Sequence, residues 1–137
     1  MKEHFKNLIE LSEQANKNDE VPVSCMILND QNEVIGVGIN SRQQDHSVIG
    51  HAEINAILQA EKNIQDWRLD SCYMLVSLKP CVMCQYIIKE SRLNKVYYLL
   101  DRNKTEEIID TLEQIPSNEY TEKYNKILCD FFKNKRD

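Results

Sequence analysis

Four reactive side chains in two short stretches, His51-Ala52-Glu53 and Pro80-Cys81-Val82-Met83-Cys84, constrain this chain more than any other feature. One imidazole, two thiols and one carboxyl act together only in a fold that brings two distant segments to one point. His51, Cys81 and Cys84 match the ligand number of a catalytic zinc, which keeps three protein ligands and leaves its remaining tetrahedral position to water. Two thiolates, a neutral imidazole and Zn2+ sum to no formal charge. One such ion per chain can therefore be buried at little Born cost, and it lowers the pKa of its water. Glu53 then takes that proton as general base and returns it to a leaving amine as general acid.

Local geometry restricts where each group can sit. Pro80 sets φ for a helix start, and Cys81 and Cys84 then lie on one face of its first turn, where the helix dipole favours thiolates. His51 and Glu53 cannot share a helical face, because residues two apart are turned by roughly 200°. They converge only if His51 opens a helix, with Gly50 letting the chain turn in, while Glu53 reaches past the metal to its water. The competing reading is a closed structural site with Cys129, Cys25, Cys72 or His46 as fourth ligand, and it leaves Glu53 without a use. Cys25 and Cys72 sit in apolar strand-like runs and Cys129 on an apolar helix face, the pattern of packed thiols.

At 137 residues the chain is long enough for one well-buried core and too short for two, so residues 1–137 are expected to form a single domain. Met1-Lys2-Glu3-His4-Phe5 lacks the apolar run of a signal peptide, and no stretch approaches the roughly 18 apolar residues of a membrane span. Five cysteines, an odd number, suit a reducing compartment; a cytoplasmic protein with no membrane partner is expected. Phe5, Leu8, Ile9 and Ala15 predict a helix to about Asn18, and Val23 to Leu28 and Val34 to Ile39 read as a hairpin turning at Asn29-Asp30-Gln31-Asn32. A helix follows His51 through Glu61. Cys72 to Leu78 is a strand delivering the thiols, Val82 to Glu90 a helix, and Val96 to Leu100 a further strand. Ile108, Ile109, Leu112 and Ile115 keep helical spacing, so a helix is read within residues 101–118. Tyr120, Tyr124, Ile127, Leu128, Phe131 and Phe132 make a C-terminal amphipathic helix. The alternation argues for an α/β fold, a sheet between helical layers headed by one antiparallel hairpin.

With these residues in place, the chain resembles the zinc-dependent cytidine and nucleobase deaminases, whose signature is H-x-E followed by P-C-x-x-C, and within them the bacterial tRNA adenosine deaminases. Glu20-Val21-Pro22-Val23, Gly38-Ile39-Asn40, His51 to Ala56, Leu78 to Cys84 and Asp130-Phe131-Phe132 look like counterparts in the same order. The resemblance runs from about residue 4 to residue 98 and resumes in the last helix. It implies a three-layer α/β/α sandwich with a mixed sheet, zinc held by His51, Cys81 and Cys84, and Glu53 as catalytic residue. It also implies that Val21 and Asn40 line the base pocket and that the Ala52 backbone N–H orients the base. Asn40 reads equally well as a turn residue in Gly38-Ile39-Asn40-Ser41. A homodimer with the zinc helices near its interface is implied too.

The chain departs from the tRNA enzymes in three places. Lys79 stands where they typically carry Glu, Ser47-Val48-Ile49-Gly50 replaces an Asp-Pro-Thr-Ala run, and Leu99 to Lys104 replaces a Gly/Ala-rich segment. A net charge of −5 is also not the footprint of a phosphate-binding protein. The acidity is uneven: Lys123, Lys126, Lys133, Lys135 and Arg136 face only Asp130, which makes either a local basic arm or cations complementing a helix end. Lys89, Arg92 and Lys95 could extend a basic strip. Tyr97 and Tyr98 alternate across a strand, so at most one can stack on a base from a given face. Three readings follow: a deaminase of the wobble adenosine in a tRNA anticodon loop, a deaminase of a free base or nucleoside of the guanine or cytosine type, and a non-catalytic zinc-binding partner subunit. Glu53 speaks against the third.

Overall fold

The computed structural model describes residues 2–102 and 105–135. Among them the order is α1 (Lys2–Lys17), β1 (Ser24–Leu28), β2 (Val34–Ile39), α2 (Ala52–Ile64), β3 (Tyr73–Leu78), α3 (Val82–Ser91), β4 (Lys95–Leu100), β5 (Leu112–Gln114) and α4 (Glu119–Lys135). The strands form one mixed sheet in the order β2-β1-β3-β4-β5. β1 is antiparallel to both β2 and β3, whereas β3, β4 and β5 run parallel. The antiparallel pair needs only a tight turn: Asn29 accepts from the Gln31 and Glu33 N–H groups through its side-chain oxygen, and Asn32 takes φ 62°. The parallel pair β3–β4 needs a crossover, and α3 supplies it.

Helices α1 and α4 pack together on the sheet, α2 packs on β1 and β2 and against α3, and every β1 residue is buried because α1 and α2 both lie against it. This is a helix/sheet/helix sandwich of the expected kind. The closest approach is between β2 and α2. A Cβ on Gly38 would stand 2.3 Å from the Ala52 carbonyl oxygen, and one on Gly36 2.5 Å from that of Ala56. Two glycines facing Ala52, Ala56 and Ala60 thus let the helix backbone lie directly on the strand, which sets the position of the His51 end of α2.

Helix ends follow local chemistry. The Asn118 side chain accepts from the Tyr120 and Thr121 N–H groups, so α4 begins one residue before the predicted run. Gln65 and Arg92 take left-handed φ values of 57° and 67° and close α2 and α3. No helix among the described residues is long and apolar enough to cross a membrane.

The helix expected within residues 101–118 is not formed. Leu112, Glu113 and Gln114 instead pair with Val96, Tyr97 and Tyr98 at the sheet edge. The isoleucine spacing was misleading because β4 offers an unpaired edge, and several hydrogen bonds outweigh a weak local preference in a short segment ending at Pro116. A buried side chain takes over backbone bonding there: Gln85 donates to the Glu106 carbonyl at 2.8 Å and accepts from the Ile108 N–H at 2.7 Å. Asn103 and Lys104, part of the divergent loop, and Arg136 of the basic arm lie outside the described residues.

Candidate metal centre and cleft

The α2 and α3 starts meet at the carboxyl end of β3. His51 is the residue before α2, with extended φ −92° and ψ 148°, so its ring is not bound to the helical repeat that would have turned it away from Glu53. Gly50 does not serve as expected. Its φ is not positive; a Cβ there would stand 2.9 Å from Arg42 backbone atoms, so the constraint is close approach rather than turning freedom. Pro80 likewise lies outside α3: Cys81, not Pro80, is the capping residue, at φ −69° and ψ 170°. Cys84 still projects from the first turn beside it.

The ligand atoms of His51, Cys81 and Cys84 lie within 4.8 Å of one another. His51 Nδ1 stands 3.7 Å from Cys81 Sγ and 3.4 Å from Cys84 Sγ. Around a tetrahedral zinc with ordinary bond lengths, nitrogen and sulfur ligands are about 3.6 Å apart, so the trio fits the ion. Glu53 is buried but is not a member of that cluster, as a carboxylate that works on water rather than metal requires. Cys25 and Cys72 are buried in the strand region, whereas Cys129 is exposed on α4, against the expectation of a packed thiol. It donates to Asn125 one turn earlier, a local contact that the apolar periodicity around it concealed.

Electrostatics set the protonation pattern of the protein groups. Burial, more than the neighbouring Cys81 charge, lifts the Glu53 carboxyl from the usual carboxylate range to about 7. The hydrogen bond from Cys84 holds Cys81 well below an ordinary thiol, with His51 and Arg102 adding to the effect, and Cys84 is pushed up in turn. The half-buried thiol ionises first. Ligand binding by both then requires loss of a single shared proton.

His51, of the trio, lines a cleft of about 800 Å³ whose walls also include Glu53 and all three of the expected base-contacting residues, Val21, Asn40 and Ala52. The Asn40 side chain also makes the turn contact, its Oδ1 accepting from the Arg42 N–H at 3.1 Å. Ala52 opens α2, where no side chain caps the helix, so its N–H stays available at the positive end of the dipole. Sequence reasoning missed the supports. Glu20 is 1 % exposed and both its oxygens accept backbone N–H groups, from Gln43 and Gln44, which pins the loop before His51. Asn55 ties α2 to the Ile39 carbonyl and the Ser41 hydroxyl. The signals for Glu20 were its place in Glu20-Val21-Pro22-Val23 and an acidic residue beside a turn, neither of which names its partners, which lie more than twenty positions away.

Lys79 and several of the basic residues have structural partners. Lys79 is buried and pairs with Asp101 at 3.6 Å and Glu107 at 3.8 Å, fastening the segment after β4. Arg92 stacks on Trp67, Lys95 pairs with Glu113, and Lys135 in the last turn of α4 pairs with Asp19. Tyr98 is buried, while Tyr97 packs edge-on against Tyr73.

Residues 1–100 match the family model described as the cytidine and deoxycytidylate deaminase zinc-binding region. A tRNA-specific adenosine deaminase of Buchnera aphidicola subsp. Schizaphis graminum is 35% identical over 140 residues, covering 89% of this chain and 87% of that protein. One from Streptococcus pyogenes serotype M1 is 35% identical over 108 residues, covering 79% of this chain but 62% of its own length, so the match spans less than two thirds of that relative. A structure from studies of A-to-I editing by tRNA:A34 deaminases superposes with a TM-score of 0.78 at 27% identity, covering 91% of this chain and 99% of that one. Guanine deaminase from Bacillus subtilis gives 0.67 at 28% identity, over 71% of this chain and 62% of that one. The family model, the sandwich and the ligand trio lead to one conclusion: the chain belongs to the cytidine and deoxycytidylate deaminase family of zinc-dependent aminohydrolases.

Proposed function

We propose that this chain deaminates a wobble adenosine to inosine in a tRNA anticodon loop. In this reading His51, Cys81 and Cys84 hold one zinc, Glu53 is the catalytic acid and base, and Val21, Asn40 and Ala52 contact the base. The observation that carries the chemistry is the ligand trio at tetrahedral spacing, with its His51 and Glu53 lining one cleft. Bound zinc supplies a Lewis acid that lowers the pKa of water. Glu53, whose carboxyl pKa is raised by burial above the usual range, accepts a proton from the attacking water and returns it to the departing amine. Oxygen is left on C6 of adenine and ammonia leaves, so adenine and water become hypoxanthine and ammonia. Val21, Leu128 and Phe131 supply an apolar wall that keeps bulk water from the ring.

The choice of tRNA over a free base is supported by relatives of that activity matching most of this chain, and by an anticodon loop presenting its bases unstacked. The likeness to the Bacillus subtilis guanine deaminase favours a second reading, a free purine base as substrate. Incubation with unmodified tRNA bearing adenosine at the wobble position, followed by sequencing, is expected to give A-to-G reads at that position alone. Ammonia release from guanine or a nucleoside with no conversion of tRNA would decide for the second reading.

The chain also pairs with a second copy in this proposal, through the outer face of α2 and α3. Leu58, Trp67 and Tyr86 are each more than half exposed there, beside a depression walled by Ile54, Ile57 and Ile87. A contiguous apolar face of that kind is uncommon on a monomer. Light scattering at micromolar concentration is expected to give twice the chain mass, and Leu58→Glu with Tyr86→Glu to halve it; a monomeric parent protein rules the pairing out.

A further inference from the structure

The uncommitted charge in the cleft is opposite in sign to that of the chain. Four carboxylates line it, Asp19, Glu20, Glu53 and Asp101, against Arg42, Arg102 and Lys135. Three of the four carboxylates are engaged elsewhere. Glu20 accepts the Gln43 and Gln44 N–H groups, Asp19 pairs with Lys135, and Asp101 pairs with buried Lys79. Neither Arg42 nor Arg102 forms an ion pair among the described residues. The cleft therefore presents, together with Glu53, two guanidinium groups that have no salt-bridge partner among the described residues, although the chain as a whole carries −5.

Arg102 is the better fixed of the two. Arg42 is exposed on the loop before α2, whereas Arg102 is half-buried directly after β4. Its Nε donates to the Lys79 carbonyl at 3.1 Å, and the Lys79 N–H donates to the Leu100 carbonyl at 3.0 Å. Lys79 immediately precedes Pro80 and the metal-binding Cys81, so this arginine is tied to the same backbone that sets the centre. With Nε occupied by the carbonyl, the two terminal nitrogens remain as a planar fork, the geometry that suits a phosphate. A half-buried guanidinium costs desolvation free energy that a neutral base does not offset, whereas an anion does.

We propose that Arg102 is a substrate-binding residue that grips a phosphate adjoining the target nucleoside, so that the cleft takes a nucleotide unit rather than a free base. This rests on reading the cleft as a nucleobase deaminase site, and it makes the divergent segment after β4 a determinant of substrate class. Two sources share that chemistry, a phosphodiester within an RNA strand and a free nucleoside monophosphate.

The test uses the zinc-loaded full chain on a Glu53→Gln background, so that ligand survives, with three probes: an anticodon-loop RNA hairpin, adenosine 5′-monophosphate and adenosine. Arg102→Ala is expected to weaken hairpin binding about tenfold and to reduce the slope of log K against log salt by ~0.7, the value for one contact to a single strand, while adenosine binding stays within about twofold. Arg102→Lys keeps the charge and is expected to keep the slope, which separates loss of the cation from a displaced loop. If the hairpin is not bound at all, but the monophosphate binds more tightly than adenosine and loses that advantage in Arg102→Ala, the phosphate grip holds while the tRNA reading fails. Equal losses for adenosine and the phosphate-bearing probes, or an unchanged salt slope, overturn the proposal.

Discussion

Glu53→Gln is expected to retain its zinc and its fold and to lose about 10²- to 10⁴-fold in turnover, the range ascribed to a positioned general acid and base. The substitution keeps shape and removes the proton. Glu53 is 3 % exposed in the first turn of α2, so a larger or charged replacement would confound the result with packing, whereas the amide fills the same volume. Metal content should not change, because the carboxyl lies outside the ligand cluster. Stability gives a second, independent reading through linkage. Burial raises the folded-state pKa of Glu53 from 4.5 to about 7, so this group's contribution is fully present below about 4.5 and is lost as pH rises through 7. Gln has no such loss. The metal-free variant should therefore melt no lower than the metal-free parent at pH 8. Turnover, zinc content and melting are measured on one preparation; a fully active Glu53→Gln enzyme removes the carboxyl from the mechanism, and a zinc-free one makes it a ligand.

What sequence could convey here was decided by the range of the interaction. The spacing of Cys81 and Cys84 and the impossibility of His51 and Glu53 sharing a helical face are local facts, and they required a non-helical His51, which is where the chain places it. The Val34–Ile39 strand matches its predicted bounds because alternation and the Asn29 turn agree with each other. Failures came where a distant partner overrides a local pattern. The isoleucines near residue 109 look helical until β4 offers an edge and Gln85 offers its amide. Gly50 looked like a hinge because chain direction is visible in sequence and the approach of Arg42 is not. Composition likewise cannot distinguish Glu20, engaged by two N–H groups, from a free carboxylate, so the net charge says little about the sign of the cleft. Lys79 was an anomaly against the resemblance, and the fold makes it the anchor for Asp101 and Glu107.

Cys84→Ala is expected to abolish stoichiometric zinc binding and to remove the metal's share of stability. Cys84 is wholly buried beside His51 and, through its hydrogen bond, sets the ionisation of Cys81, so its loss leaves one thiolate and one imidazole. Two ligands do not hold zinc as three do. A metal present at about 1,000 times its dissociation constant stabilises the folded state by roughly 4 kcal/mol, and in a domain of this size each kcal/mol moves the melting temperature by about 2–8 °C. The parent protein should thus melt about 8–30 °C higher with zinc than with a chelator, while Cys84→Ala should be insensitive to both. The comparison in chelator isolates the remaining cost, the small cavity left by a sulfur atom, of about 1–2 kcal/mol. That cavity lies at the start of α3, whose buried face is otherwise completed by Gln85, Ile88 and Ser91, so the metal-free variant should stay folded and the difference with zinc can be assigned to the ion. A Cys84→Ala protein that binds one equivalent of zinc, or a parent whose melting ignores the chelator, would show that the imidazole and thiols are neighbours without being ligands.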